Sequence, residues 1–352
     1  MSNEYEFSEV VERVKDALAG AGTTTGATMF PTETPDETIG IVYERNFMRS
    51  LFPSMPMSTR TVKVPKLTGS VNFHRQTLGQ TESGTASDES RQATSEIDLT
   101  LKTMIANVPI GNYLIAYGVE GLLTVLRDDI ASRLAFNEEN LFINGDTETT
   151  LASNINGVYH ASNNPGGINA TAGSEQNDYL LEIDGLRKQA AATAVSVSGT
   201  FALSHLRSAI SSLGVYADNR DDLALIVPRN LEVQILGLTE LQTVDKYGPG
   251  ATILSGEVGR LYGIRVFATG VIPTNLNYTG VYDGTTTSQT LAILTHIRSP
   301  MIGNPTQAER RFNMGFFDEP TKDRFILIPR TDVAFNIRYT DAVCLLTGID
   351  TI

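Results

Sequence analysis

Residues 112–143 read NYLIAYGVEGLLTVLRDDIASRLAFNEENLFI. Ile115, Val119, Leu122, Leu126, Ile130 and Leu134 recur at three- and four-residue steps, which lines one face of an α-helix. Asn112 is a fair N-cap and Asn144-Gly145 a stop signal. At about 1.5 Å per residue, such a rod runs roughly 50 Å and spans a domain. The acidic pairs Asp128/Asp129 and Glu138/Glu139 tempt a catalytic reading. Adjacent helical residues point about 100° apart, however, and both pairs fall opposite the apolar stripe, so the expectation is a solvated or interface face.

Upstream of this helix the chain is extended. Residues 59–66 (TRTVKVPK) alternate, SVNFHRQ continues, a polar stretch GQTESGTASDES intervenes, and 96–105 alternates again through Ile97, Leu99 and Leu101. That pattern is a two-limbed β excursion with a polar tip. Its limbs are charge-sorted: Arg60, Lys63, Lys66 and Arg75 lie on the first, while Glu82, Asp88, Glu89, Glu96 and Asp98 mark the tip and the second. Opposite charges across a hairpin fix its register and are equally suited to a neighbouring subunit. A projecting hairpin is marginal alone and needs something to lie on, which favours the intersubunit role over a solvated flap. Further upstream, DETIGIVYERNFMRSLFP (36–53) has helical spacing through Ile39, Tyr43, Phe47 and Leu51. Residues 20–35 are a Gly/Thr/Pro linker, and Val10, Val14 and Leu18 suggest a short amphipathic helix in 1–20.

Downstream, residues 146–177 are rich in Asn, Gly, Ser and Thr and read as a connecting loop. Helices are then expected at 178–195, 203–213 and 229–238, with strands at 223–228, 263–268 and 290–297, a mixed α/β region. The last 55 residues return to β through RFILIPRT, VAFNIRY and AVCLLTG, and are expected to complete a sheet begun near 54–66 and 96–110. The fold class is therefore α+β, a discontinuous domain carrying the long helix with an α/β domain inserted into it.

Composition excludes several function classes. The chain has 352 residues, 41% hydrophobic and 19% charged, as in ordinary folded proteins. Lys+Arg 27 against Asp+Glu 40 gives a net charge of -13, which argues against a protein built to grip phosphates through a basic surface. No stretch reaches the roughly 18 apolar residues of a membrane span, and the charged N-terminus is unlike a secretory signal. Cys344, the only cysteine, sits in an apolar strand and reads as a small buried hydrophobe rather than a nucleophile. His74, His160, His205 and His296 have no matching neighbours for a triad or a zinc site. Gly248-Pro-Gly250 and SGEVGRLYG (255–263) fail as phosphate loops and read as turns around short strands, and neither G-x-S-x-G nor H-E-x-x-H occurs. The sequons at Asn169 and Asn277 mean little without export. No catalytic residue, cofactor site or metal site is expected.

The order of arm, extended loop, long helix, α/β insertion and returning strands resembles the major capsid proteins of tailed phages, the Hong Kong 97-type fold. The wording of LTLKTMIANVPIGNYLIAYGVEGLLTVLRDDIASRLAFNEENLFINGD, DLALIVPRNLEVQILGL and LSGEVGRLYGIRVFATGVIP resembles that family too, so that the likeness covers roughly 36–350. The resemblance implies an N-terminal arm (1–35), an extended loop (58–104) and an axial domain (178–298). It further implies a peripheral domain assembled from 36–57, 105–177 with the spine helix 112–143, and 299–352. It makes Arg60, Lys63, Lys66, Arg75, Glu82, Asp88 and Glu89 candidate intersubunit contacts, and places Ile115, Val119, Leu122, Leu126 and Ile130 on the spine.

The implied function is a non-enzymatic shell subunit whose copies form the hexamers and pentamers of an icosahedral capsid around double-stranded DNA, without sequence-specific binding. Portal and scaffolding proteins, and optionally a cement protein, are the implied partners, with no membrane. Assembly is expected in the host cytoplasm and residence in the virion. Some members cross-link a loop lysine to an asparagine of another subunit; here residues 79–91 hold no lysine, so non-covalent packing is expected. Only about 35 residues precede Asp36, so scaffolding is expected to be supplied separately or to have been removed. Two other readings compete: an encapsulin-type compartment around a cargo enzyme, and a soluble enzyme with a site near 223–268.

Overall fold

The computed structural model describes residues 47–71, 73, 92–113, 122–148, 153–156, 178–237, 241–242, 257–286, 288–307, 310 and 313–351. The expected arm, most of the 36–53 helix and the loop tip lie outside these residues. In chain order the main elements are α1 (Met48–Leu51), β1 (Ser54–Met57), β2 (Thr61–Leu67), β3 (Thr94–Thr100), β4 (Lys102–Ile105), β5 (Val108–Gly111) and α2 (Leu122–Asn144). There follow α3 (Leu186–Gln189), β6 (Val195–Gly199), α4 (Leu203–Ser212), β7 (Leu223–Pro228), α5 (Arg229–Leu236), β8 (Leu241–Gln242), β9 (Glu257–Leu261) and β10 (Ile264–Thr269). The series closes with β11 (Gln289–His296), β12 (Pro300–Pro305), β13 (Asn313–Glu319), β14 (Arg324–Ile337) and β15 (Val343–Asp350). Two compact units result, one of Met1–Tyr43, Ile105–Leu134 and Asn313–Arg330, the other of Glu44–Met104, Ala135–Phe312 and Thr331–Ile352.

In the smaller unit, residues 324–327 of β14 are flanked on both sides by antiparallel partners, β13 and β5. Ile110 and Leu327 are buried there, whereas Phe316 and Phe317 on β13 stand exposed. The Arg127 guanidinium lies 5.6 Å from the centre of the Phe316 ring, a cation–π contact from the helix. The β13–β14 turn is fixed by Glu319, which accepts from Lys322 at 2.8 Å and Arg324 at 2.7 Å and whose carboxyl is held below its ordinary value by those two cations. Asp323 adopts a left-handed conformation (φ 46) that Asp tolerates better than most residues, and Asn112 donates to its side chain at 2.8 Å.

The larger unit is built on a seven-stranded mixed sheet in the order β6-β15-β11-β7-β10-β9-β8. All six residues of the central strand β7 are buried, as expected of an uninterrupted apolar run covered on both faces. Leu206, Ala209 and Leu213 from α4 and its end, with Leu231 and Ile235 from α5, join Leu225, Val227, Val266 and Leu346 in one core. Strands β9 and β10 are joined by Tyr262-Gly263, both with positive φ (53 and 82), a two-residue turn whose twist suits an antiparallel hairpin. The glycine once weighed as part of a phosphate loop therefore serves a turn. In the same unit β1 runs parallel to β12, β12 pairs antiparallel with the second half of β14, and β2 and β3 form a separate ribbon.

Several expectations need correction. The helix expected over 178–195 is two single 3-10 turns around the short α3, and a strand starts at Val195. The cause is a back-to-back contact of two glycines: Gly185 N donates to Gly145 O at 2.8 Å, and a Cβ on Gly185 would meet Gly145 N, Ile143 O and Phe142 O at 2.8 Å. RFILIPRT and VAFNIRY belong to one continuous strand, β14, whose halves take different partners. Strand β15, expected with 299–352 in the peripheral domain, instead lies between β6 and β11 in the seven-stranded sheet. Seven of its eight residues are buried, cover that this sheet provides.

Candidate assembly surface

The ribbon pairs Thr61 with Thr100, Lys63 with Asp98, Val64 with Ile97 and Leu67 with Thr94. Because strand side chains alternate, Thr61, Lys63, Asp98 and Glu96 share one face while Val62, Val64, Ile97 and Leu99 share the other. The apolar face is anchored at the root in a cluster with Met57, Met301 and Ala334. The other face is open and carries the sorted charges: Lys63 forms an ion pair with Glu96 and faces Asp98, and the Glu96 hydrogen bond foremost holds the Lys63 ammonium above its ordinary value. Beyond the root, Leu67 and Val71 are exposed and the Phe73 side chain is 99% accessible. A bare aromatic on a polar ribbon is the kind of anchor that interfaces bury.

The site residues expected from sequence divide on inspection. Lys63 stands on the open face. Lys66 points inward, donating to the Arg338 carbonyl at 3.2 Å with the Tyr339 ring 6.0 Å away, so its contact is within its own subunit. Arg60 occupies the turn at the ribbon's root. Arg75, Glu82, Asp88 and Glu89, and on the helix Ile115 and Val119, lie outside the described residues. Leu126 and Ile130 are only half-buried.

The helix α2 departs from expectation at its far end. Glu138 and Glu139, expected on a solvated or interface face, are 6% and 1% exposed within the subunit. Leu141, Phe142 and Ile143 are fully buried, so the final turn of the helix is enclosed. Charged groups tolerate such burial only when paired. Glu138 accepts two hydrogen bonds from the Arg49 guanidinium, which also reaches Asn304 Oδ1, and Glu139 Oε1 accepts from Thr269 Oγ1 at 2.9 Å. Arg49→Met is expected to lower unfolding free energy by about 2 kcal/mol, less than a fully buried pair because Arg49 is partly exposed. Urea titration checks this, and an unchanged midpoint contradicts it.

Sequence reading also missed Arg187, 1% exposed. Its Nη1 donates to Asn144 Oδ1 at 2.7 Å and Asn156 Oδ1 at 3.1 Å, and its Nη2 to Gly280 O at 2.7 Å. It thereby ties the end of α2 to two loops. Nothing local marks it, since its partners lie 31 to 93 residues away. Among the described residues no group of His, Cys, Asp and Glu side chains could hold a metal. Cys344 is buried, with its thiol pushed up chiefly by desolvation, the opposite of an activated nucleophile.

The sequence profile described as "Phage capsid family" matches residues 26–233, more than half of the chain. The chain belongs to the phage capsid family. A role as structural subunit, not enzyme, comes with membership. The fold of this capsid protein is that of solved shells at low identity. It is similar to the capsid of a native GTA particle (13% identity, 94% of this chain and 98% of that one, TM-score 0.59). It is similar also to structures from Mycobacterium phage Adephagia (14%, 93% and 97%, 0.58) and Cyanophage P-SCSP1u (11%, 94% and 96%, 0.54). No curated protein matches the capsid protein in sequence.

Proposed function

We propose that this protein is the major capsid protein of a tailed double-stranded DNA virus, its copies closing as hexamers and pentamers into an icosahedral shell around the genome. The observation that carries this reading is the ribbon β2–β3, in a chain of the phage capsid family. Its charged face is open, and Phe73 beyond its root is bare. Closed shells require heterologous contacts of this sort, in which one surface meets a different surface of the next copy. In this reading residues 1–35 are the arm, 58–104 the extended loop that overlaps a neighbour, and 112–143 the spine. Residues 178–298 together with 343–350 are the axial domain, and the remaining segments the peripheral domain. Portal and scaffolding proteins act during assembly in the host cytoplasm, with room for a cement protein. The DNA is enclosed without sequence readout, consistent with the net charge of -13. Among the described residues no helix is long and apolar enough to cross a membrane.

The shell is held without covalent cross-links. Residues 79–91 contain no lysine, and the three lysines of 58–104 are engaged within their own subunit, Lys63 by Glu96, Lys66 by the Arg338 carbonyl and Lys102 by Glu182. Deleting residues 76–92 is expected to leave a folded subunit with an unchanged circular dichroism spectrum while abolishing particles in electron micrographs. Unimpaired assembly contradicts the overlapping loop, and a wild-type protein that stays monomeric at every concentration contradicts the shell. Particles holding a protein cargo in place of DNA contradict the viral role.

A further inference from the structure

At the root of the ribbon lies a cleft of about 330 Å³. Thr59 and Arg60 come to it from the turn before β2, Thr103 from the returning limb, Gln307 and Arg310 from the segment after β12, and Asp332 from β14. Both oxygens of Asp332 are already engaged: Thr103 Oγ1 donates to Oδ1 at 2.7 Å, and Arg310 Nη1 stands 3.6 Å from Oδ2. Among the described residues no hydrogen bond or ion pair engages the Arg60 guanidinium. Among the described residues that line the cleft, two guanidinium groups stand against one carboxylate, one net positive charge, and Thr59 and Gln307 add neutral polar groups.

We infer that this cleft is a receptor for a single carboxylate, filled during assembly by an aspartate or glutamate side chain of a second copy of this chain. The inference rests on the shell reading and names one contact within it. One net positive charge matches a carboxylate, whereas a dianionic phosphate is left uncompensated beside Asp332. A partner of the right sign is abundant in a second copy, which carries 40 acidic residues against 27 basic ones. Copies so acidic repel unless basic recesses are placed to receive their carboxylates. The cleft walls include residues 58–60 and 101–103, where the two limbs leave the body, so a seated carboxylate also fixes the angle at which the ribbon departs.

The full chain is compared with Arg60→Glu and Gln307→Glu by light scattering during assembly, with thermal melting of the unassembled subunit alongside. Both variants are expected to assemble about tenfold or more slowly with unchanged melting, since Gln307→Glu cancels the free charge and Arg60→Glu reverses it. Arg207→Gln, the same one-unit change as Gln307→Glu at an exposed site outside the cleft, is expected to assemble as the wild type does. A photo-crosslinking amino acid at position 59 is expected to capture, in particles only, a peptide of another copy that contains Asp or Glu. Wild-type rates in both cleft variants, equal slowing by Arg207→Gln, or cross-links confined to one chain overturn the receptor while leaving the shell standing. A wild-type chain that forms no particles overturns the shell reading, and the receptor with it.

Discussion

Arg187→Met will lower the melting temperature of the unassembled subunit by about 10 °C or more. The guanidinium is enclosed and donates to Asn144, Asn156 and Gly280. Methionine fills much of the volume but donates nothing, so three buried acceptors lose a charge-assisted partner at once. Leaving a buried acceptor without its donor costs about 1 to 3 kcal/mol, so losing several at once takes a large part of the roughly 5 to 15 kcal/mol that holds a domain together. Arg187→Lys keeps the charge but not the planar fork, and is expected to fall between the two. Calorimetry decides the matter: a methionine variant melting within about 2 °C of wild type would show that the three acceptors find other donors.

The second large effect is expected at the glycine pair. A Cβ on Gly145 would stand 2.2 Å from Ile183 O and 2.6 Å from Leu141 O, both backbone atoms that no rotamer change can clear. Gly145→Ala is therefore expected to cost about 3 kcal/mol or more and to yield mostly insoluble protein. Gly185→Ala, whose contacts are at 2.8 Å, is expected to be milder but still destabilising. Soluble yield and urea midpoints rank the two. Equal stability of Gly145→Ala and wild type would mean that the 141–146 and 183–185 segments part more easily than their short backbone bonds suggest.

The elements that were legible are those whose signal is local. The ribbon showed in period-two alternation and sorted charge, and β7, α4, α5, β10 and β11 showed in short apolar runs bounded by turns. Glu138 and Glu139 were misread because the cation that licenses burial of the first, Arg49, sits 89 residues upstream. The 178–195 segment carries helical composition, and only the close approach of Gly145 to Gly185 breaks it. Strand β15 was legible as a strand, but its neighbours Val195 and Ile293 are distant in sequence, and no periodicity names a partner. Among the candidate contacts, Lys66 was grouped with Lys63 by charge and limb, although it lies two residues after Val64 and so shares the apolar face.

The position of β15 bears on how the protein is made. Strands β6 and β11 are synthesised first, yet β15 alone hydrogen-bonds to both, pairing Leu346 with Val195 and Ile293 with Leu345. A nascent chain thus leaves the ribosome with a gap one strand in from the edge of its main sheet, and with β6 and β11 each open to the wrong partner until β15 emerges. Polypeptides cut short by premature termination stay visibly unfinished, exposed to proteases and chaperones rather than admitted to a lattice in which one defective copy weakens many neighbours.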